Sequence, residues 1–153
     1  MKSKHAVLAA IITLGLAPVC GYPSEWKVIL EDSDNVLYVD MQSIAQTGPY
    51  VKAWSMVDFK KPQKTINNPS KVYKSWKSLE YFNCSENRFA SIQATFYSEQ
   101  LGNGKVVAAS EHDPTRAVYQ DAIPDSNGEI QLNYVCAAFR ARQSPPSTPK
   151  SKN

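Results

Sequence analysis

From Trp26 onward, apolar side chains recur at every second position far more often than at every third or fourth, which predicts strands rather than helices. Trp26, Val28 and Leu30 share one face of a first strand, and Asp32-Ser33-Asp34-Asn35 supplies a turn. Val36 to Val39 is a second strand, and Asp40 to Ile44 can form one helical turn before Thr47-Gly48-Pro49. Tyr50 to Phe59 is a long strand, with Val51, Ala53, Val57 and Phe59 on one face and Tyr50, Trp54 and Met56 on the other. Both faces are apolar enough to need covering, one by a helix and the other by a partner chain.

A Pro/Asn-rich connection is predicted over Lys60 to Ser70, followed by strands over Val72 to Cys84 and Phe89 to Tyr97 with a turn at Ser85-Glu86-Asn87. Gly102-Asn103-Gly104 marks a tight turn into a strand over Val106 to Ala109, and Glu111 to Arg116 reads as loop. After Pro124 the period changes. Ser126-Asn127-Gly128-Glu129 has the spacing of a helix capping box, and Ile130, Tyr134 and Ala138 recur at helical spacing. Leu132, Val135, Cys136 and Phe139 broaden that stripe, so one helix is expected from about Asn127 to Ala141, weakened in its first turn by Gly128. The expected fold is therefore α+β: a single antiparallel sheet of about six strands with a C-terminal helix on one face.

The first 21 residues follow different rules. Lys2 and Lys4 precede an apolar run from Ala6 to Leu16, the form of a secretory signal peptide and too short to span a bilayer comfortably. The cut is placed after Gly21, because Pro18 disfavours cleavage after Ala17 and Val19 and Gly21 suit the small-residue positions. The domain then covers residues 22–141, and the Pro/Ser/Lys tail over 142–153 holds nothing able to build a core and is expected to be disordered.

Cleavage also removes Cys20, leaving Cys84 and Cys136 in a compartment where disulfides persist. A bond between them closes a loop of about fifty residues, worth on the order of 4 kcal/mol by chain entropy. It would pin the helix to the face toward which Cys84 points, which by parity also carries Trp76 and Phe82. Two buried free thiols, or a lipidated Cys20, are the alternatives.

With 153 residues, 42% of them hydrophobic, the chain is one domain and not a disordered segment. Its formal charge of +3 falls to +1 without Lys2 and Lys4 (15 basic against 14 acidic residues), too little for a dedicated nucleic-acid binder. Beyond the signal segment His112 is the only histidine, so His-clustered metal sites and His-containing triads cannot be assembled in one chain. Gly102-Asn103-Gly104-Lys105 leads into a strand rather than a helix and reads as a hairpin turn, not a phosphate loop. Glu111, His112 and Asp113 are adjacent loop residues, poorly placed to converge on one ion. No cofactor is expected. One charged feature remains: no acidic residue lies between Asp58 and Glu80, while Lys60, Lys61, Lys64, Lys71, Lys74 and Lys77 do, interleaved with Tyr73 and Trp76. Such a basic stretch attracts sulfated glycans or acidic protein segments, and its aromatic residues add contact area. The plain alternative is an edge strand that lysines keep from aggregating.

Several of these residues, in their order, carry a resemblance. Tyr38-Val39-Asp40 with Ser43-Ile44 leads to Val51-Lys52-Ala53-Trp54, Val57-Asp58 and Lys60-Lys61-Pro62. A Ser/Lys/Tyr-rich strand then closes on Cys84, followed by Thr95-Phe96-Tyr97, Gly102-Asn103-Gly104-Lys105, Ala122-Ile123-Pro124-Asp125 and the helix with Cys136. Together, over Trp26 to Phe139, they resemble the surface-adhesin protein E family of Gram-negative bacteria. The resemblance implies export to the periplasm or outer-membrane surface, a sheet and C-terminal helix tied by the disulfide, and no enzymatic activity. It further implies a dimeric adhesin of host matrix proteins such as vitronectin and laminin, with a link to haem.

The matrix-binding stretch of the family corresponds to Asn68 through Ile92, with Pro69, Lys71, Tyr73, Lys74, Cys84 and Asn87 the first positions to compare. Its basic residues here are mostly Lys, which lacks the bidentate and stacking geometry of Arg. The reading is an exported, non-enzymatic binding module, expected to form a homodimer, whose ligand contacts centre on Lys71, Tyr73, Lys74 and Lys77. Its expected partners are host matrix proteins or sulfated glycans. The rivals are an envelope enzyme or inhibitor with a carboxylate-lined cleft, and a haem or metal carrier using His112 and tyrosines.

Overall fold

The computed structural model describes residues 23–144; the expected signal peptide, Cys20 and residues 145–153 of the expected tail lie outside them. Eight strands form one antiparallel sheet. They are β1 (Trp26–Glu31), β2 (Asn35–Asp40), β3 (Ala45–Thr47), β4 (Tyr50–Lys64), β5 (Val72–Asn83), β6 (Arg88–Tyr97), β7 (Val106–Glu111) and β8 (Gln120–Asp121). Six lie in the order β1-β2-β4-β5-β6-β7, the six that periodicity finds. The other two are short additions that it misses. β2 and β3 line successive stretches of the same edge of β4, at Ser55–Phe59 and Tyr50–Lys52. β7 and β8 do the same along β6. Two or three residues are too few to show a period, so only the neighbouring strand makes them strands.

Local chemistry sets the turns. Asp32 closes the first hairpin by accepting from the amides of Asp34 (2.7 Å) and Asn35 (2.8 Å). The expected turn after Asp40 is a 3-10 turn over Met41–Ser43, capped by the Asp40 carboxylate, which accepts from the Gln42 amide. The β6–β7 connection folds back onto the sheet. The buried Asp58 carboxylate accepts from the amide of Leu101 (2.8 Å), and Ser75 Oγ accepts from that of Gly102 (2.9 Å) while donating to the Glu99 carbonyl (2.6 Å). Those three bonds hold Leu101 at φ +58°, a conformation that a leucine seldom adopts.

One expectation needs correcting. The connection over Lys60 to Ser70 is strand as far as Lys64, because β4 continues past an irregularity to pair Gln63 with Tyr73 and Lys64 with Val72. Pro62 is tolerated there because the ladder is already interrupted between Asp58 and Gln63.

The helix α1 spans Asn127–Gln143, two residues past the expected end. Ser126 Oγ caps it by accepting from the Glu129 amide (3.2 Å), while the Glu129 carboxylate accepts from the amide of Asp125 (2.8 Å). The buried line runs through Gln131, Leu132, Val135 and Cys136, whereas Ile130, Tyr134 and Ala138 are its half-buried flank. Leu132, Val135 and Cys136, flanked by Tyr134 and Ala138, pack on Val39, Val51, Ala53 and Phe82 of the sheet. Each fully buried Leu or Val contributes about 1.5–3 kcal/mol. Cys84 and Cys136 are bonded, with Cα atoms 5.8 Å apart, and clamp the middle of α1 to the end of β5. At the other end Arg142 donates to the carbonyls of Ile44 and Met41. Among the described residues, no helix is long and apolar enough to cross a membrane.

Candidate functional site

Helix α1 covers only part of its face of the sheet. Beyond its first turn, that face continues as a patch of aromatic rings and exposed lysines, where most of the sequence-predicted positions lie. Strand parity places Trp76 on the face of Phe82, as expected, but outside the footprint of the helix. Phe59 opposes it edge-on at 5.3 Å and Phe96 at 5.5 Å. Tyr73 joins them, 5.7 Å from Phe59 and 4.9 Å from Phe96, also edge-on. Three residues along a regular strand would put Tyr73 and Trp76 on opposite faces. The interrupted ladder beside them brings the two rings to 6.1 Å instead.

The connection from Thr65 to Lys71 stands over this cluster. Its shape is built from its own polar atoms: Thr65 Oγ1 donates to the Asn68 carbonyl (2.7 Å), and Asn68 Oδ1 accepts from the Ser70 amide (3.1 Å). Lys71 donates through Nζ to the Val107 carbonyl of β7 at 3.4 Å. Between loop and sheet lies a hollow of about 330 Å³, bounded by Ile66, Lys71, Tyr73, Trp76, Phe96 and Ala108. Burial raises the pKa of the Tyr73 phenol, so it stays a neutral donor and acceptor at the wall. Ile66, 98% exposed, stands at the tip. The hollow is thus mainly apolar, with the Lys71 ammonium and the Tyr73 phenol among the polar groups at its wall, beside Thr65, Asn67, Asn68 and Ser110.

The predicted ligand residues do not all meet here. Lys71 and Tyr73 line the hollow, and Lys74 is exposed on the same strand. Lys77 lies elsewhere, with its ammonium 5.6 Å from the ring of Trp26 and 5.7 Å from that of Tyr97. Lys60 is engaged by the Glu31 carboxylate at 3.2 Å, and Lys61 and Lys64 are exposed. The stretch from Asn68 to Ile92 is a hairpin, β5 and β6 with their turn. Asn87, at φ +56°, sits in that turn, and Cys84 lies just before it in the disulfide. Twelve residues of β5 separate this end from Lys71, about 40 Å of extended chain. The six positions therefore form two places, Pro69 to Lys74 at one end and Cys84 to Asn87 at the other.

Phe59 and Phe96, half of the aromatic cluster, are invisible as partners in the linear chain because they come from two other strands. His112 is exposed, and among the described residues no three of His, Cys, Asp or Glu converge as metal ligands would.

Known proteins share this architecture. The family model described as Surface-adhesin protein E matches residues 26–137, which takes in all eight strands and most of α1. Protein E of Haemophilus influenzae, in its crystal form II, superposes with a TM-score of 0.55 at 19% identity, over 82% of this chain and 97% of that one. Protein E from non-typeable Haemophilus influenzae gives 0.54 at 20% identity, over 84% and 86%. No curated protein matches the chain. The likeness to the solved structures is one of fold, and the family match, running from Trp26 through Cys136, spans both partners of the disulfide and the whole sheet. The chain belongs to the surface-adhesin protein E family.

Proposed function

We propose that this protein is an exported, non-enzymatic adhesion module of the Gram-negative cell envelope. It engages acidic stretches of host matrix proteins, or the sulfated glycans that accompany them, through the end of the sheet formed by Lys71, Tyr73 and Lys74. The observation that carries this reading is the juxtaposition there of exposed lysines, an apolar hollow and the absence of any acidic residue from Phe59 to Leu79. Lysines draw in an anionic partner, and the hollow accepts an apolar side chain beside the anion.

Immobilised heparin and vitronectin test the surface. Lys71→Glu with Lys74→Glu should weaken binding at least tenfold at 0.15 M salt, and binding by the natural protein should fall as salt rises. Lys77→Glu, on a different part of the sheet, should have the smaller effect. Unchanged binding by the double variant would remove the lysine surface from consideration.

The face of the sheet away from α1, which among the described residues is covered only in part, by the β6–β7 connection at Asp58 and Ser75, supports the accompanying proposal of a homodimer. Trp54, Met56 and Leu79 lie on the side away from α1, Trp54 directly opposite Leu79. A second copy is the partner that would cover such a face.

A further inference from the structure

Beside the first turn of α1, on the helix-bearing face, Glu80 lies among partners that do not neutralise it. Ser55 Oγ (3.4 Å), Ser78 Oγ (3.3 Å) and the Gln131 side-chain amide all donate to its carboxylate. Removal from water is the largest influence on this group, and it pushes the pKa up to about 7 despite those three hydrogen bonds. Two hollows flank the carboxyl. One of about 290 Å³ runs under α1 between Asn35, Phe59 and Gly128, and the other, about 240 Å³, opens toward Ser91, Phe96 and Gln120. Trp76 and Phe89 border both.

No other titratable side chain lines either hollow. The polar groups facing Glu80 are Asn35 on β2, Ser55 on β4, Ser91 on β6, Gln120 on β8, and Asn127 and Gln131 on α1. Charges on the neighbouring elements are engaged elsewhere: Glu129 with the Asp125 amide, and Arg88 with Asp121 and Glu86. The acceptors outnumber the donors. Asn35 Oδ1 is buried and accepts no hydrogen bond within the protein. The hydroxyls of Ser55 and Ser78 spend their single protons on Glu80; Ser55 Oγ accepts in turn from the Gln131 side-chain amide, and Ser78 Oγ keeps its lone pairs free.

A carboxylate, a neutral acceptor without a donor, and two aromatic side chains are complementary to a group with several N–H donors and a full positive charge. We propose that the hollows around Glu80 bind a small organic cation, a primary ammonium or guanidinium on a short apolar stem, with the charge against Glu80 and the stem against Trp76 and Phe89. The site shares the Trp76 and Phe96 side chains with the hollow of the lysine surface proposed above, but its charged anchor is Glu80 rather than Lys71, and its sign of charge is opposite. Its volume suits a ligand of small-metabolite size rather than a polymer. Binding also senses pH, because protonation of Glu80 removes the anion that the ligand meets.

Calorimetric and NMR titrations of the full mature chain test this with n-butylammonium and agmatine, and with n-butanol as the neutral analogue. Both cations should bind saturably at pH 8 and shift the resonances of Glu80, Trp76 and Gln131, while butanol does not. Affinity should fall at least tenfold between pH 8 and pH 5.5 as the carboxyl takes up its proton. Glu80→Gln should abolish that pH dependence and most of the affinity, and Trp76→Leu should weaken binding at every pH. Equal binding of butanol, a pH-independent affinity in the natural protein, or no saturable binding of either cation would each overturn the proposal. The wild-type titrations decide the matter even if the variants fold poorly. Loss of heparin binding in the lysine variants with cation binding intact would separate the two sites.

Discussion

Gly128 shows how a single position can have one meaning in the chain and another in the fold. In the second residue of a helix, glycine costs roughly 1 kcal/mol relative to alanine, so Gly128→Ala should stabilise if only the helix mattered. A Cβ at that position would lie 2.6 Å from Cζ of Phe89, whose ring is also 6.3 Å from Phe82 against the core. The absent side chain is what lets the first turn of α1 approach β6. Gly128→Ala should therefore lower stability, by about 1–2 kcal/mol net, and thermal unfolding read by circular dichroism checks the sign. An unchanged or raised melting temperature would mean that Phe89 yields without cost. Glu80 is the converse case, a residue whose placement was open to strand parity. It alternates with Phe82 and Cys84, and an acidic residue on the inward side of a strand is a signal in itself. What parity could not show is that Ser55 and Gln131, 25 and 51 positions away, would become its partners.

Among the elements, the joint between α1 and the sheet carries the most consequence. The helix has a limited apolar stripe, so its attachment rests on Leu132, Val135 and Cys136, on the Arg142 contacts at its end, and on the bond to Cys84. That bond spans 52 positions of sequence. Replacing both cysteines by serine should destabilise the domain by about 4 kcal/mol on the chain-entropy model. The change appears as a lower denaturant midpoint with a nearly constant slope. Faster amide exchange in α1 than in β4 and β5 of that variant would show that the helix loosens first. Equal stability of the two proteins would contradict the clamp. The β4 strand teaches a related lesson: Pro62 and the lysines around it read as a connection, yet pairing with Tyr73 and Val72 extends the strand to Lys64.

At the level of the complete molecule, α1 screens one face of the sheet, while on the other the β6–β7 connection covers the part around Asp58 and Ser75. Met56 is buried there by its own neighbours, while Trp54 and Leu79 are half-buried. If a second copy covers them, sedimentation equilibrium of the mature protein should give twice the chain mass, and Leu79→Glu should return it to the monomer because an unpaired charge would be buried at the contact. A monomer for the natural protein at high micromolar concentration would reject the dimer. Neither the lysine surface nor the Glu80 hollows depends on that result, since both are formed by one chain.

Strand alternation, turn residues and the helix cap are local matters, settled by neighbours within a few positions. They made six strands and the C-terminal helix legible from the linear chain, while the disulfide partners followed from the two cysteines left once the expected cleavage removes Cys20. The order of those pieces along the chain did the same for the family. Shortness hid β3 and β8, and separation in the chain hid the rest: how an interrupted ladder turns Tyr73 toward Trp76, why six nearby lysines part company, and what encloses Glu80. Each of those depends on which segments meet in space, and a period of two tells which way a residue faces but not what it will find there.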